Sequence, residues 1–306
     1  DIWITNRSTG DKVALTNDPL DEMAPTFMPN NTVAFASNKS GKFQIYKIIN
    51  GDWIQVVESD SDDYAPMFAG DVTIEQTLKT PFPAPMRSSL GALNHEGKIY
   101  LCGGHQGAEH TYPPESFTDT MQVYDTATGS WKVLAPRPHK AHGFQMAGIG
   151  RYIYAFGGFA YDENNSPKWK SLAAIDRYDI ESDTWTTVGL LPRRRSSNVS
   201  ITVDNKVYLI GGWDSTPKFP RDLDGTFQQA VDVFDLKTEK VSVARWQMPL
   251  PLRRAFSAVE YGGNIILVGG LGVGASHFEL LNNITMIEPV SGYSRELSPL
   301  PFATFA

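Results

Sequence analysis

The chain has a single cysteine among its 306 residues, and this scarcity removes two kinds of site. One thiol cannot form an intrachain disulfide framework, and it cannot supply a cysteine-rich zinc site. A basic excess is also missing, because the formal net charge is −7 at pH 7. Nucleic-acid binding needs a basic surface, so we expect no nucleic-acid partner. No apolar run approaches the roughly eighteen residues of a membrane-spanning helix, so we predict no membrane span.

Helical periodicity is missing as well, because 26 glycines and 20 prolines interrupt the chain too often. The chain instead repeats one pattern four times: a hydrophobic strand that ends in two glycines, then an aromatic–acidic pair or its relative, then a final strand. The second glycines are Gly104, Gly158, Gly212 and Gly270, which are 54, 54 and 58 residues apart. A fixed period of this length indicates one supersecondary unit repeated along the chain.

This pattern resembles the kelch repeat, in which each copy forms one four-stranded blade of a β-propeller. The resemblance covers about residues 86–300. Two copies also carry a tryptophan on the last strand, Trp131 and Trp185, whereas Val241 and Tyr293 stand there in the other two. The double glycine suits a buried strand end where the backbone turns and neighbouring chains come close.

The N-terminal part of the chain carries a different repeat, for which we predict four short strands at residues 24–29, 32–38, 43–46 and 53–57. This repeat resembles the propeller repeat of the TolB family of bacterial periplasmic proteins. The last residues, 301–306, resemble the first strand of that same module. A ring must remove its open edges, so we expect the C-terminal strand to complete the N-terminal blade.

We therefore predict an all-β protein, a single β-propeller domain over residues 1–306 that is built of four-stranded blades. Residues 1–70 would form the TolB-like blades, and residues 88–306 would form four kelch blades plus the closing strand. Residues 71–87 would be a connection or part of a stunted blade. The ring would have seven modules, or six if residues 60–87 form no blade.

Strand direction predicts where a ligand would bind. With the strands of a blade named A to D, the B–C loops and the D–A connections leave one end of the blade, and the short A–B and C–D turns leave the other. The kelch B–C loops are long, and loops longer than a turn requires tend to carry function. We expect the binding site at this end. The four loops span residues 105–120, 159–174, 213–230 and 271–284.

Basic residues precede each A strand near the expected axis, and the resemblance implies that this mouth binds acidic peptides or other ligands. Arginine suits carboxylates because its planar fork bonds them bidentately. The long loops add aromatic rings, which suit a sugar or a peptide. The alternative is structural: the arginines pair with acids of neighbouring blades, and the rings order their own loops. The predicted ligand-binding residues are Arg87, His139, Arg195, Arg254, His105, His110, Tyr112, Trp169, Trp213, Asp214, Arg221 and His277.

The function predicted from the sequence is non-catalytic binding of a peptide, a partner protein or a glycan, with no cofactor and no bound metal. The alternative is a carbohydrate-active enzyme such as a kelch-type sugar mutarotase, for which no catalytic carboxylate stands out. The TolB-like repeats and six Asn-x-Ser/Thr sequons favour an extracytoplasmic location, whether periplasmic, cell-surface or secreted. A polar β-surface would explain the sequons equally well. The chain could also be one part of a larger protein or assembly.

Overall fold

The computed structural model describes residues 1–5, 9–28, 32–49, 51–56, 81–83, 85–108, 110–274 and 278–305. They belong to two compact units, Asp1–Thr77 and Leu78–Ala306. Within the described residues, regular structure is almost entirely β-strand, with one short 3₁₀ turn at Pro114–Ser116. A search of the same residues finds no helix with the length and apolar character needed to cross a membrane. The prediction of an all-β protein is confirmed.

The N-terminal unit contains a two-stranded hairpin and a four-stranded antiparallel sheet in the order β3-β4-β5-β6. Phe35 is fully buried in this sheet, and the indole ring of Trp53 meets its ring edge-on at 4.9 Å. All four strands predicted here are present. Their similarity to the TolB repeat stays a prediction. The strands are β1 (Trp3–Thr5), β2 (Lys12–Ala14), β3 (Glu22–Phe27), β4 (Val33–Ser37), β5 (Gln44–Ile49) and β6 (Asp52–Gln55).

The second unit contains four antiparallel sheets, one for each predicted kelch copy, which we call blades 1 to 4. Blade 1 is β7 (Gly91–His95), β8 (Lys98–Cys102), β9 (Met121–Asp125) and β10 (Ser130–Leu134). Blade 2 is β11 (Gln145–Ile149), β12 (Tyr152–Phe156), β15 (Ala174–Asp179) and β16 (Thr184–Leu190), with the hairpin β13 (Phe159–Tyr161) and β14 (Trp169–Ser171) in its B–C loop.

Blades 3 and 4 follow the same plan. Blade 3 is β17 (Val199–Val203), β18 (Lys206–Ile210), β21 (Ala230–Asp235) and β22 (Lys240–Gln247), with the hairpin β19 (Trp213–Asp214) and β20 (Thr226–Phe227) in its B–C loop. Blade 4 is β23 (Arg253–Arg254), β24 (Ser257–Tyr261), β25 (Asn264–Val273), β26 (Phe278–Ile287) and β27 (Ser294–Leu297). In blade 4 the described parts of the B–C loop, up to Val273 and from Phe278, continue the two long central strands.

Apolar clusters join each blade to the next. One includes Cys102 of blade 1 and Ile153 of blade 2, and another includes Phe156 of blade 2 and Leu209 of blade 3. A third joins blades 3 and 4. Burial of one large aliphatic or aromatic side chain stabilises the fold by about 1.5–3 kcal/mol, so these clusters hold consecutive blades together.

The double glycine ends strand B where the connection into the next blade crosses it. Gly157 has a φ of +63°, and a Cβ atom there would lie 2.4 Å from the carbonyl oxygen of Arg195. Only glycine combines this left-handed backbone with this close approach. The N–H group of the second glycine then donates to the crossing strand. The donor–acceptor pairs are Gly104–Ala141, Gly158–Arg195, Gly212–Arg253 and Gly270–Thr304, at 2.9, 3.0, 2.9 and 2.7 Å.

After blades 1 to 3, the residue that accepts this hydrogen bond belongs to the connection into the next blade. After blade 4, Thr304 accepts it instead. The C-terminal segment runs as such a connection does. Its predicted pairing with the N-terminal strands, the closed ring and the single domain stay predictions. The same is true of the number of modules, because residues 57–80, which bear on the choice between six and seven, lie outside the described residues.

Cys102 provides a simple test of the blade core. Its side chain is fully buried, and burial raises the pKa of its thiol to about 12. Because the thiolate is the reactive form, we expect no reaction with a disulfide reagent at pH 8 in the native protein and one equivalent after unfolding in urea. Absorbance of the released thiolate measures both. Full reaction of the native protein within minutes would contradict this packing.

Candidate functional site

A pocket of about 620 Å³ opens where the B–C loops meet the beginnings of the A strands. We call it the loop-face pocket. Residues from the B–C loops of all four blades line it, so the predicted convergence of these loops is present. Lining residues include Ser89, His110, Tyr112, His142, Phe159, Trp169, Ser197, Asn198, Trp213, Leu223, Arg254, Leu271 and Phe305.

Backbone hydrogen bonds fix the A-strand side of this pocket. The N–H group of Gly143 donates to the carbonyl of Ser89, that of Ser197 to Gly143, and that of Ala255 to Ser197, each at 2.7 Å. All four residues have a left-handed backbone, with φ between +48° and +60°. Consecutive blades are therefore tied at matching positions, and the side chains that follow are held in matching places.

Aromatic rings form one wall of the pocket. The ring of Tyr112 stacks on that of His142 at 5.8 Å and meets the indole of Trp169 edge-on at 5.7 Å. Phe159 packs against both His142 and Trp169. Burial, with the nearby His105, lowers the pKa of His142 to about 3, so this imidazole is neutral at pH 7. The wall is uncharged and flat-faced.

Arg254 supplies positive charge to the pocket. Its guanidinium lies 4.1 Å from the ring centre of Trp213 and 4.0 Å from that of Phe278, and both rings attract it through cation–π interactions. Burial lowers the pKa of Arg254 to about 10, which leaves it protonated at pH 7. It makes no ion pair or hydrogen bond with a side chain in the described part of the protein.

Two other predicted arginines, Arg87 and Arg195, have a different role, because they lie one residue earlier in the repeat. Arg195 has 0% exposure, and it donates to Asp232 at 2.7 Å and to the carbonyls of Leu209 and Gly211 at 3.0 Å each. Arg195, predicted to contact a ligand at the mouth, is thus buried and does not line the loop-face pocket. Its planar fork crosslinks the entering chain to strands B and C of blade 3.

Arg87 and Arg253 occupy the same repeat position as Arg195, each 17 residues before a second glycine. Arg87 donates to the carbonyl of Thr120 at 3.0 Å and to the side chain of Gln122, so it too is engaged within its blade. Arg253 is fully buried and donates to the hydroxyl of Thr285 at 3.1 Å. The arginines at this position stabilise blade structure, and Arg87 and Arg253 do so through carbonyl, amide and hydroxyl groups and not through the acids that the alternative interpretation named.

Blade 2 also contains a buried arginine that bonds within the blade, but it comes from a different position in the repeat. Ala141 stands where an arginine is expected, and buried Arg137 takes its place, donating to Asp176 at 2.8 Å. His139 hydrogen-bonds the same carboxylate at 2.9 Å. Burial alone would raise the pKa of Asp176, but His139 and Arg137 hold it below its usual range. His139 is thus held on a structural carboxylate and does not line the loop-face pocket.

The remaining predicted residues divide into two groups. His110, Tyr112, Trp169 and Trp213 line the pocket. His105 is buried behind it, Asp214 accepts the N–H group of Thr216, and Arg221 is exposed elsewhere, with its N–H group bonded to the carbonyl of Ser166. These three do not line the pocket. His277 lies outside the described residues.

Several lining residues escaped the sequence analysis. His142, Phe159 and Leu271 follow from repeat register: the residue directly after each double glycine bridges to the residue before each A strand, as in the pairs His142–Phe159 and Arg254–Leu271. Alignment of the four copies at these positions would have identified them. Asn198 and Phe305 gave no such signal, because neither residue type is distinctive there.

Three buried polar atoms without a hydrogen-bond partner belong to lining residues: Nε2 of His142, Oδ1 of Asn198 and Nε of Arg254. Buried polar groups normally find partners, so such atoms around one pocket favour a ligand with hydrogen-bonding groups. No Asp or Glu is among the described residues that line it. In the described part of the chain, no group of three His, Cys, Asp or Glu residues is placed to hold a metal ion.

Comparison with known proteins identifies the repeats. The model of the KLHDC2/KLHL20/DRC7 Kelch-repeats domain matches residues 89–298. Kelch-like protein 35 of Mus musculus is 27% identical over 239 residues, which cover 76% of this chain and 35% of that protein. Kelch-like protein terF of Aspergillus terreus is 27% identical over 209 residues, 66% of this chain and 42% of that protein. The chain thus spans 35% and 42% of the length of these two relatives.

A solved structure supports the same fold. YjhT aligns with a TM-score of 0.56 and 16% identity, covering 73% of this chain and 68% of that one. At this identity the likeness concerns the fold alone. Four blades built around double glycines, together with the family match over residues 89–298, show that the chain belongs to the kelch-repeat family.

Proposed function

We propose that this chain is a protein-binding module that holds an extended segment of a partner protein in the loop-face pocket. The observation that carries the proposal is Arg254, a cation in the pocket lining that has no carboxylate partner among the described residues. Arg253 precedes it in the chain, and Arg195 occupies the position of Arg253 in blade 3. Both guanidinium groups make their hydrogen bonds within their own blades. Arg254 alone of these three is left for a ligand.

The pocket chemistry fits a peptide that carries a carboxylate next to an apolar or aromatic side chain. The carboxylate would accept charge-assisted hydrogen bonds from Arg254, which are roughly twice as strong as neutral ones. The apolar side chain would pack on Tyr112, Phe159 and Trp169. Kelch-repeat relatives support the choice of a protein ligand, and the lack of an acid in the described lining supports an anionic one.

Selection of random 12-residue peptides on the immobilised full chain tests this proposal. We expect the selected peptides to contain Asp or Glu beside an apolar residue. Arg254→Ala should weaken their binding at least about thirtyfold, because loss of one partner of a desolvated charge pair costs about 2 kcal/mol or more. Fluorescence polarisation of labelled peptides measures the affinity.

Arg194→Ala is the matched control, because Arg194 is a cation in the connection before blade 3 and does not line the pocket. It should leave the affinity within about twofold. Arg254→Lys should fall between the two, since it keeps the charge and loses the planar stack on Trp213. Selected peptides whose binding is unchanged by Arg254→Ala would refute the proposal.

The enzyme alternative gains no specific support. A mutarotase would need a carboxylate as acid or base near the axis, and the two carboxylates that are fully buried in blades 2 and 3, Asp176 and Asp232, are engaged by arginines. An extracytoplasmic location and a ring of seven modules closed by the two chain ends belong to the proposal as well. They rest on the repeats and sequons of the sequence.

A further inference from the structure

A second cavity lies at the opposite end of blade 3, among the C–D turns. It has a volume of about 420 Å³ and shares no lining residue with the loop-face pocket. We call it the turn-side groove. Its walls come from strands β18, β21 and β22 and from Pro289 and Val290 in the C–D turn of blade 4.

The equivalent place between blades 2 and 3 is filled by a carboxylate. Glu239, in the C–D turn of blade 3, accepts a hydrogen bond from the hydroxyl of Tyr154 at 2.8 Å. The guanidinium of Arg177, which pairs with Tyr154 across strands β12 and β15, contacts the same oxygen at 2.7 Å. Between blades 2 and 3 this place therefore holds one carboxylate between a tyrosine hydroxyl and a cation.

In the next pair of blades the tyrosine remains, but no carboxylate stands at the turn position of Glu239. Tyr208 stands 54 residues after Tyr154, but its cross-strand neighbour is Val233 in place of Arg177. Gly292 takes the turn position of Glu239, and each of these two N–H groups donates to the carbonyl four residues earlier at 2.8 Å. Trp246 enforces the glycine, because a Cβ atom on residue 292 would lie 2.2 Å from the Cβ of Trp246.

The tyrosine hydroxyl is left as an unused donor. Burial, with the carboxylates of Glu288 and Asp204, raises the pKa of Tyr208, so its hydroxyl keeps its proton at pH 7. It makes no hydrogen bond to any residue in the described part of the chain.

Three cationic side chains line the groove together with Tyr208. Lys206, Lys240 and Arg245 line the groove, are exposed, and form no ion pair within the described residues. Asp235 also lines it, but that carboxylate already accepts the N–H groups of Lys237 and Thr238 at 3.0 and 2.9 Å.

From this pairing of a filled and an open copy we infer that the turn-side groove binds an Asp or Glu side chain of an acidic segment on a partner protein. The incoming carboxylate replaces Glu239 of the filled copy. It accepts a hydrogen bond from Tyr208, and Lys240 and Arg245 replace the charge of Arg177. Apolar residues beside it would pack on Val243 and Val290, which are 46% and 84% exposed. This site is independent of the loop-face pocket.

The test uses a decaglutamate peptide and the full chain labelled with ¹⁵N. The indole N–H signals of the seven tryptophans report on each end of the blades separately. Trp246 lines the groove and donates to the carbonyl of Pro289 at 2.8 Å. We expect its signal to shift and saturate with peptide, and decaglutamine to leave it unmoved. Lys240→Ala/Arg245→Ala should weaken this binding about tenfold or more, and Tyr208→Phe about fivefold.

Lys237→Ala is the matched control, since this exposed lysine in the same blade does not line the groove. It should change the affinity less than about twofold. Arg254→Ala should not change the Trp246 titration at all, which separates this site from the loop-face pocket. An unmoved Trp246 signal at saturating peptide would overturn the inference, as would equal binding by the double alanine variant.

Discussion

Arg195→Ala is expected to lower the free energy of unfolding by about 3–5 kcal/mol, because it removes one partner of a fully buried ion pair. Asp232 would then keep a charge inside blade 3 with only Arg193, which is partly exposed, to compensate it. The carbonyls of Leu209, Gly211 and Ala230 would also lose their donor. The melting temperature should fall on the order of 10 °C, as measured by circular dichroism.

Two further variants separate this structural effect from a general sensitivity to charge. Arg254→Ala, in the next connection, should keep the melting temperature within about 2 °C of the wild-type value, because removing this guanidinium leaves no buried carboxylate without a partner. Asp232→Asn in the Arg195→Ala background should recover part of the loss, since the amide carries no charge. An Arg195→Ala protein within about 1 kcal/mol of wild type would contradict the buried pair.

Gly157→Ala is the second large effect, with an expected loss of about 4 kcal/mol. A left-handed alanine costs about 1–2 kcal/mol, and an overpacked contact adds about 1–3 kcal/mol. The new methyl group would lie 2.4 Å from the carbonyl oxygen of Arg195 and 3.2 Å from that of Leu172. Both are backbone atoms of neighbouring segments, so neither can turn away as a flexible side chain would. Urea unfolding followed by tryptophan fluorescence measures the change.

Gly150→Ala provides the matched control. Gly150 has a similar backbone, with φ of +50°, but nothing lies within 4 Å of the position its Cβ would take. It should cost only the backbone term of about 1–2 kcal/mol. Equal losses at the two positions would show that close approach at the strand end contributes nothing, and that backbone conformation alone selects glycine there.

The blades were predictable because their signals are local and repeated. A hydrophobic strand ending in Gly-Gly, followed by Tyr178-Asp179 or its counterpart, places strands B, C and D without knowledge of distant contacts. The end at which the long loops gather also followed, since antiparallel order alone assigns each loop to one end. The roles of the arginines were not predicted, because Arg195 and Arg254 were grouped as cations before an A strand although they lie one position apart in the repeat. The structure places the first on Asp232 and the second between Trp213 and Phe278.

The sequence by itself thus determined the repeated unit, the direction of its strands and the family to which the chain belongs, because each depends on neighbours along the chain or on a fixed period. Only the tertiary structure decided which cation stays available to a ligand. Arg137 shows why: it leaves the repeat register entirely, yet its side chain still reaches the buried carboxylate of Asp176. Which groups a side chain can reach depends on the three-dimensional fold and not on residue spacing alone. That reach separates the guanidinium groups bound within the blades from that of Arg254, which lies between Trp213 and Phe278.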